Sequence, residues 1–199
     1  MFVQVIEGKV ADKAALRRQL DRWNEELRPG AAGFLGSTSG VSDDGVAFAI
    51  ARFDSAASAK ANSERAEQSA WWSETEKSFD GPPSFSDSED VDEFLAGGSN
   101  DAGFVQVMKN TNGPSRDVMN DLDKRFEQHA GAWRPDLIGG LRIWTGERSS
   151  VEVNYFTSEA DARQNEKKDP PAELAETFAQ FSEMMAGTQF IDLRDPWLY

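Results

Sequence analysis

Val151-Glu152-Val153-Asn154 sets two polar side chains into an otherwise apolar alternation. Residues two apart in a strand share a face, so Glu152 and Asn154 project together. A carboxylate in apolar surroundings holds its proton more tightly, which would make Glu152 a candidate general base, with Asn154 beside it as a polar group for a developing oxyanion. Arg142 and Trp144 repeat the two-residue spacing on the preceding strand, and hairpin alternation puts them on the same face. An Arg142–Glu152 ion pair is the competing reading, because a partnered carboxylate is a poor base. Gln4 and Gln106 form a second polar pair. Their amides suit a substrate carbonyl or dioxygen, or a structural hydrogen bond across a seam between sheets. The structural role is preferred, since both halves of the chain carry it.

These residues sit in a chain that says nearly the same thing twice. Phe2-Val3-Gln4-Val5 returns as Phe104-Val105-Gln106-Val107, and Leu20-Asp21 as Leu122-Asp123. Phe53, Ser55, Ala57, Ala59 and Asn62 return as Phe156, Ser158, Ala160, Ala162 and Asn165, and Asp92 and Leu95 as Asp195 and Leu198. Blocks in one order at one spacing indicate a duplicated, fused domain, with a period far too long for a solenoid. The expected division is 1–96, a flexible linker at 97–103, and 104–199. Ala49 and Ala51 are then the counterparts of Glu152 and Asn154, so one half offers room where the other offers polar groups. Together they would make one lopsided pocket.

Each half reads strand, helix, strand, strand, helix, strand. In the first, 2–7 alternates as a strand. Asp12 is a suitable N-cap, and Leu16, Leu20, Trp23 and Leu27 make a helical stripe ended by Arg28-Pro29-Gly30. Strands follow at about 34–41 and 46–53 around the turn Ser42-Asp43-Asp44-Gly45, then a helical region from Ser55 to about Phe79, and a last strand near 91–95 after the acidic stretch 80–90. In the second half, strands are expected near 104–109, 138–145, 151–156 and 189–194. The first helix carries Val118, Leu122, Phe126 and His129. The second is interrupted by Asp169-Pro170-Pro171 and resumes with Leu174, Phe178, Phe181 and Met185. This is the α+β, ferredoxin-like β-α-β-β-α-β order. Val3, Val5, Val105, Val107, Val151 and Val153 are expected to face the helices. The other face, with Phe2, Gln4, Ile6, Ala47, Ala49, Ala51 and Phe53, and Phe104, Gln106, Met108, Glu152, Asn154 and Phe156, is too apolar for solvent. Two such sheets packed face to face would bury it.

Composition narrows the partners. The 199 residues carry a formal charge of −14, which disfavours nucleic acid and anionic membranes. There are no cysteines, hence no disulfides or thiolate metal sites. No apolar run reaches the ~18 residues of a membrane span, and no signal peptide opens the sequence, so a cytoplasmic location is expected. Asp87, Glu89, Asp90, Asp92 and Glu93 lack calcium-loop spacing and read as a solvated face. No glycine-rich phosphate loop follows a strand. His129 has no nucleophile at a triad-like spacing and reads as a packing residue.

The element order, the segment Phe53-Asp54-Ser55-Ala56-Ala57-Ser58-Ala59 and the following Asn62-Ser63-Glu64-Arg65 and Gln68-Ser69-Ala70-Trp71-Trp72 resemble the antibiotic-biosynthesis-monooxygenase-like domains of the dimeric α+β barrel superfamily. The resemblance implies an intramolecular pseudo-dimeric barrel, with small molecules bound between sheet and helices. It implies cofactor-independent monooxygenation or isomerisation of a hydrophobic or aromatic metabolite, or, alternatively, a non-catalytic binding or stress-related protein. The family's quinone-forming oxygenases use Asn, Trp, Tyr and Arg side chains, which makes Asn62, Trp71 and Trp72 candidates; of the adjacent tryptophans, one must face inward. Its haem-degrading members use a histidine on the second helix, where 62–72 and 165–175 have none. No cofactor or metal is therefore expected. The assembly expected is a monomeric pseudo-dimer or a homo-oligomer.

Overall fold

The computed structural model describes residues 1–98 and 100–199; Ser99, within the expected linker, lies outside the described residues. The chain divides into two compact units, Met1–Asp90 with Asp195–Tyr199, and Val91–Arg194.

In the first unit, β1 (Phe2–Lys9) leads to α1 (Lys13–Arg22). Asp12 caps the helix by accepting the Ala15 N–H at 2.8 Å. A π turn, Trp23–Leu27, and the 3-10 turn Arg28–Gly30 extend it, and Leu16, Trp23 and Leu27 are buried. β2 (Phe34–Val41) and β3 (Val46–Phe53) form the hairpin, with Gly45 at φ +76° in its turn, a conformation that favours glycine. α2 (Ala56–Ser63) and α3 (Ala66–Thr75) follow, then β4 (Ser84–Ser88).

The second unit begins with β5 (Val91–Leu95) and repeats the order: β6 (Phe104–Asn110), α4 (Arg116–Trp133), β7 (Leu137–Gly146), β8 (Ser149–Phe156), α5 (Glu159–Asn165), α6 (Ala175–Met184) and β9 (Gln189–Leu193). The stripe of α4 is Met119, Ala130 and Trp133, buried, with Leu122 and Phe126 half-buried. Val118 lies outside it and is exposed, and His129 is half-buried. β10 (Trp197–Leu198) returns to the first unit.

Both sheets are antiparallel, ordered β10-β2-β3-β1-β4 and β5-β7-β8-β6-β9. The last four strands of each order, β2-β3-β1-β4 and β7-β8-β6-β9, are ferredoxin-like, with β10 and β5 added at the other edge. The fourth strand of the first sheet is β4, inside the acidic stretch, and not 91–95 as alternation suggested. That segment, β5, pairs with β7, and the aromatic tail, β10, pairs with β2.

The helices also choose the opposite sheet face from the expected one. Arg142, level with Glu152 in the register, bonds to Asp123 on α4; Phe104 and Phe156 pack on Ala162 of α5; Ala47 packs on Leu16 of α1. The Gln106–Glu152–Asn154 face is thus the helix-covered one. Val3, Val105, Val107 and Val153, on the other face, are also wholly buried. Alternation shows which residues share a face, but two buried faces give hydrophobicity no means of choosing between them.

Candidate functional site

Each unit holds a cavity between its sheet and its own helices, of about 440 Å³ in the first and about 400 Å³ in the second. Both are within the range of small-molecule sites. Ala49 and Ala51 line the first; Glu152 and Asn154 line the second. Ala49 and Ala51 thus belong to one cavity, and Glu152 and Asn154 to another of different chemistry.

Register builds the floor of the second cavity, since directly paired residues share a face. Asp192, Gln106, Asn154, Gly140 and Phe94 form one row across the sheet. Phe190, Met108, Glu152, Arg142 and Asp92 form the next. Glycine at 140 is required: a Cβ there would sit 1.8 Å from the Phe94 ring. The ring lies across the vacant position and stacks under the Arg142 guanidinium at 5.5 Å.

Arg142 is the centre of the floor, its side chain 2% exposed. Its Nε donates to Glu152 Oε2 at 2.8 Å, and its Nη2 reaches the same oxygen at 2.8 Å. On the other side, Nη1 and Nη2 donate to Asp123 Oδ2 and Oδ1 at 2.5 and 3.1 Å. Asn154 Nδ2 donates to Glu152 Oε1 at 3.2 Å and approaches Met108 Sδ at 3.5 Å. Burial disfavours the Arg142 charge, but Glu152 and Asp123 outweigh it and push the guanidinium pKa up. Burial pushes the Asp123 carboxyl up, against the opposing pull of Arg142. Two carboxylates thus share one cation in a partly dry site.

Apolar walls enclose this floor. They come from Met119, Leu122, Phe126 and Trp133 of α4, and from Phe178 and Phe181 of α6. Phe178 and Phe190 are exposed. Gln106 donates to Asp192 Oδ1 on the neighbouring strand at 3.0 Å, and Arg163 holds the other oxygen of Asp192.

The first cavity has the same ladder, with neutral residues where the second has Arg142 and Glu152. Gln4 donates to Asp87 Oδ1 at 3.1 Å, in a row with Ala51 and Ser37; Ile6, Ala49, Ser39 and Trp197 form the next. Asn62 and Trp72 line this cavity. Asn62 Oδ1 accepts from Arg65 at 2.9 Å, Trp71 is buried with its indole N–H on the Gln19 carbonyl at 2.7 Å, and Trp72 lies edge-on to Phe85 at 5.1 Å.

The sequence-derived candidates therefore separate. Gln106, Arg142, Glu152 and Asn154 meet in the second cavity; Gln4, Asn62 and Trp72 meet in the first. Trp144 lines neither: its indole N–H donates to Asp92 at 2.7 Å. Asp92, read as part of a solvated acidic face, also holds Arg116 at 3.0 Å. Asp123 and Phe94 were missed. The Leu20-Asp21 and Leu122-Asp123 match was the available signal for Asp123, and nothing local places Phe94 in this sheet.

No protein-family model matches the sequence, and no curated protein matches it. Solved structures do resemble the fold. A candidate monooxygenase from Fusobacterium nucleatum aligns over 99% of this chain and 93% of its own, with a TM-score of 0.74 at 8% identity. One from Lactobacillus acidophilus aligns over 100% and 98%, with 0.72 at 12% identity. An anthrone oxidase-like protein aligns over 99% and 92%, with 0.63 at 8% identity. The chain thus has the fold of the monooxygenase-like proteins that its residues resemble, and at such identities the likeness is one of fold.

Proposed function

We propose that the second unit binds a small, flat, largely aromatic molecule carrying an oxygen function, and that it oxidises this molecule with dioxygen and no cofactor. The observation that carries the reading is the cavity: aromatic walls over a floor whose polar groups converge on Arg142, Glu152 and Asn154. Aromatic walls favour a planar apolar body, and a few fixed polar groups orient it. The fold supports the reading, being shared with candidate monooxygenases and an anthrone oxidase-like protein. A ring methylene conjugated with a carbonyl through the flanking aromatic rings, as in anthrone, is acidic enough to lose a proton to a base. Its carbanion can then reduce dioxygen, the methylene becoming a carbonyl and the second oxygen atom leaving as water, so no external reductant is needed.

A non-catalytic binding role is the second reading. It is favoured by the double engagement of Glu152 by Arg142, which leaves that carboxylate a weak base. Anthrone separates the two. Binding is read by quenching of tryptophan fluorescence, and turnover by oxygen uptake matched one-to-one to anthraquinone in the absence of added cofactor. Uptake above the uncatalysed rate supports the enzyme, binding without uptake supports the carrier, and absence of binding rejects both.

A further inference from the structure

We propose that Asp123, and not Glu152, is the group that accepts a proton from a molecule bound in the second cavity. Arg142 holds it in place, and Glu152 holds Arg142. The inference rests on the aromatic-binding reading above.

The argument is one of charge and of occupied lone pairs. Arg142 carries one positive charge between two carboxylates, so the cluster has one negative charge too many. The two acids are not equivalent. Glu152 is held at both oxygens, by the Arg142 Nε–H on Oε2, with Nη2 in ion-pair contact with the same oxygen, and by Asn154 on Oε1. Its side chain is 11% exposed and Asp123's 22%. Asp123 stands on α4 in the cavity wall, with Arg142 as its hydrogen-bond partner among the described residues. A carboxylate has about four acceptor positions, so each Asp123 oxygen keeps one free for a ligand.

The charged groups facing Asp123 are Arg142 from β7, Glu152 from β8 and Glu127 from its own helix. Burial, reinforced by Glu152 and Glu127, raises its affinity for a proton, and Arg142 lowers it. Proton transfer breaks a ligand O–H bond and forms a new one to an Asp123 oxygen. The electron pair stays on the ligand as an oxyanion. Total charge is unchanged, but the surplus negative charge leaves the crowded cluster for a delocalised ring system. A carboxylate whose proton affinity is raised is better suited to this step than an ordinary one.

The test compares 2-naphthol with its methyl ether, 2-methoxynaphthalene, by calorimetric titration of the full chain. A hydrogen bond to a charged acceptor contributes enough for a preference of roughly tenfold or more for the naphthol. Asp123→Asn should reduce that preference to near parity, while Glu152→Gln should keep it. In the unmodified protein the preference should fade as pH falls through the raised Asp123 range, a readout independent of whether the variants fold. Equal binding of both compounds by the unmodified protein, or equal loss of preference in both variants, overturns the assignment of Asp123 and leaves the cavity reading standing. Failure of both compounds to bind overturns the cavity reading itself.

Discussion

The two units build one ladder and furnish it differently. Where the first has Ser39, Ala49 and Ala51, the second has Arg142, Glu152 and Asn154 at the same register positions. The glutamine–aspartate pair at the outer edge is kept in both. The helical aspartate is kept too, but used differently: Asp21 accepts from the Tyr199 hydroxyl and from Arg17, whereas Asp123 turns to Arg142. A charged floor therefore needed three changes on the sheet, meeting an acid that the helix supplies in both units. The second helical layer differs as well. In the first unit it is latched to its neighbour, by Trp23 Nε1 to Gln68, Trp71 Nε1 to the Gln19 carbonyl and Arg65 to the Leu27 carbonyl. Among the described residues, by contrast, the side-chain hydrogen bonds of α6 stay within the helix, Gln180 to Glu176 and Ser182 to Phe178.

The largest expected contrast comes from removing the cation. Arg142→Met strands two carboxylates and should destabilise the second unit by about 3–5 kcal/mol. Ser39→Ala, at the matching position, loses one hydrogen bond to the Trp197 carbonyl and should cost about 1 kcal/mol. Urea denaturation followed by tryptophan fluorescence would show the difference, and equal costs would break the comparison. A second contrast is in pH. The folded-state pKa of Asp123 is raised, so the folded form binds its proton more tightly than the unfolded chain. Its contribution is fully present below the ordinary carboxylate range and is lost as pH rises through the raised value. Asp123→Asn should flatten that part of the stability curve, measured by denaturation from pH 4 upward. Third, amide exchange should open α6 before α3, because few of its described residues are buried and no side-chain hydrogen bond among them reaches a neighbouring element; Trp71→Phe should narrow the gap. The smallest contrast is at the edge. Gln106→Ala should cost about 1 kcal/mol and Gln4→Ala less than about 0.5 kcal/mol, since the Gln4–Asp87 pair is exposed and surface changes are mild.

Much of the backbone was legible because its signals are local. The hairpin 34–41 and 46–53 follows from alternation around Gly45, and the start of α1 from Asp12. The Arg142–Glu152 pair follows from hairpin register. The helix-covered face was not legible, because both faces of each sheet are buried. Asp123 was hidden by polarity, since an acid inside an apolar helical stripe reads as outward-facing until its cation is known. The fourth strand was misplaced because Ser84–Ser88 is exposed and has no apolar alternation, while Val91–Leu95, with Phe94 and Leu95, looks the better strand.

That exchange of edge strands has a consequence for how the chain must mature. Residue 197 closes the sheet of the first unit, opposite Ser39, although the rest of that unit is complete in sequence by Asp90. During synthesis the β2 edge stays open until Trp197 has left the ribosome, while all of the second unit is being made. An open edge is a template for wrong pairing. A break at the glycine-rich stretch near 97 would make matters worse: the leading fragment would lose Trp197 and keep an orphaned β5, and the trailing one would lose Phe94 from under Arg142. A truncation that respects the units has to separate after Asp90 and still supply the first unit with Asp195–Tyr199.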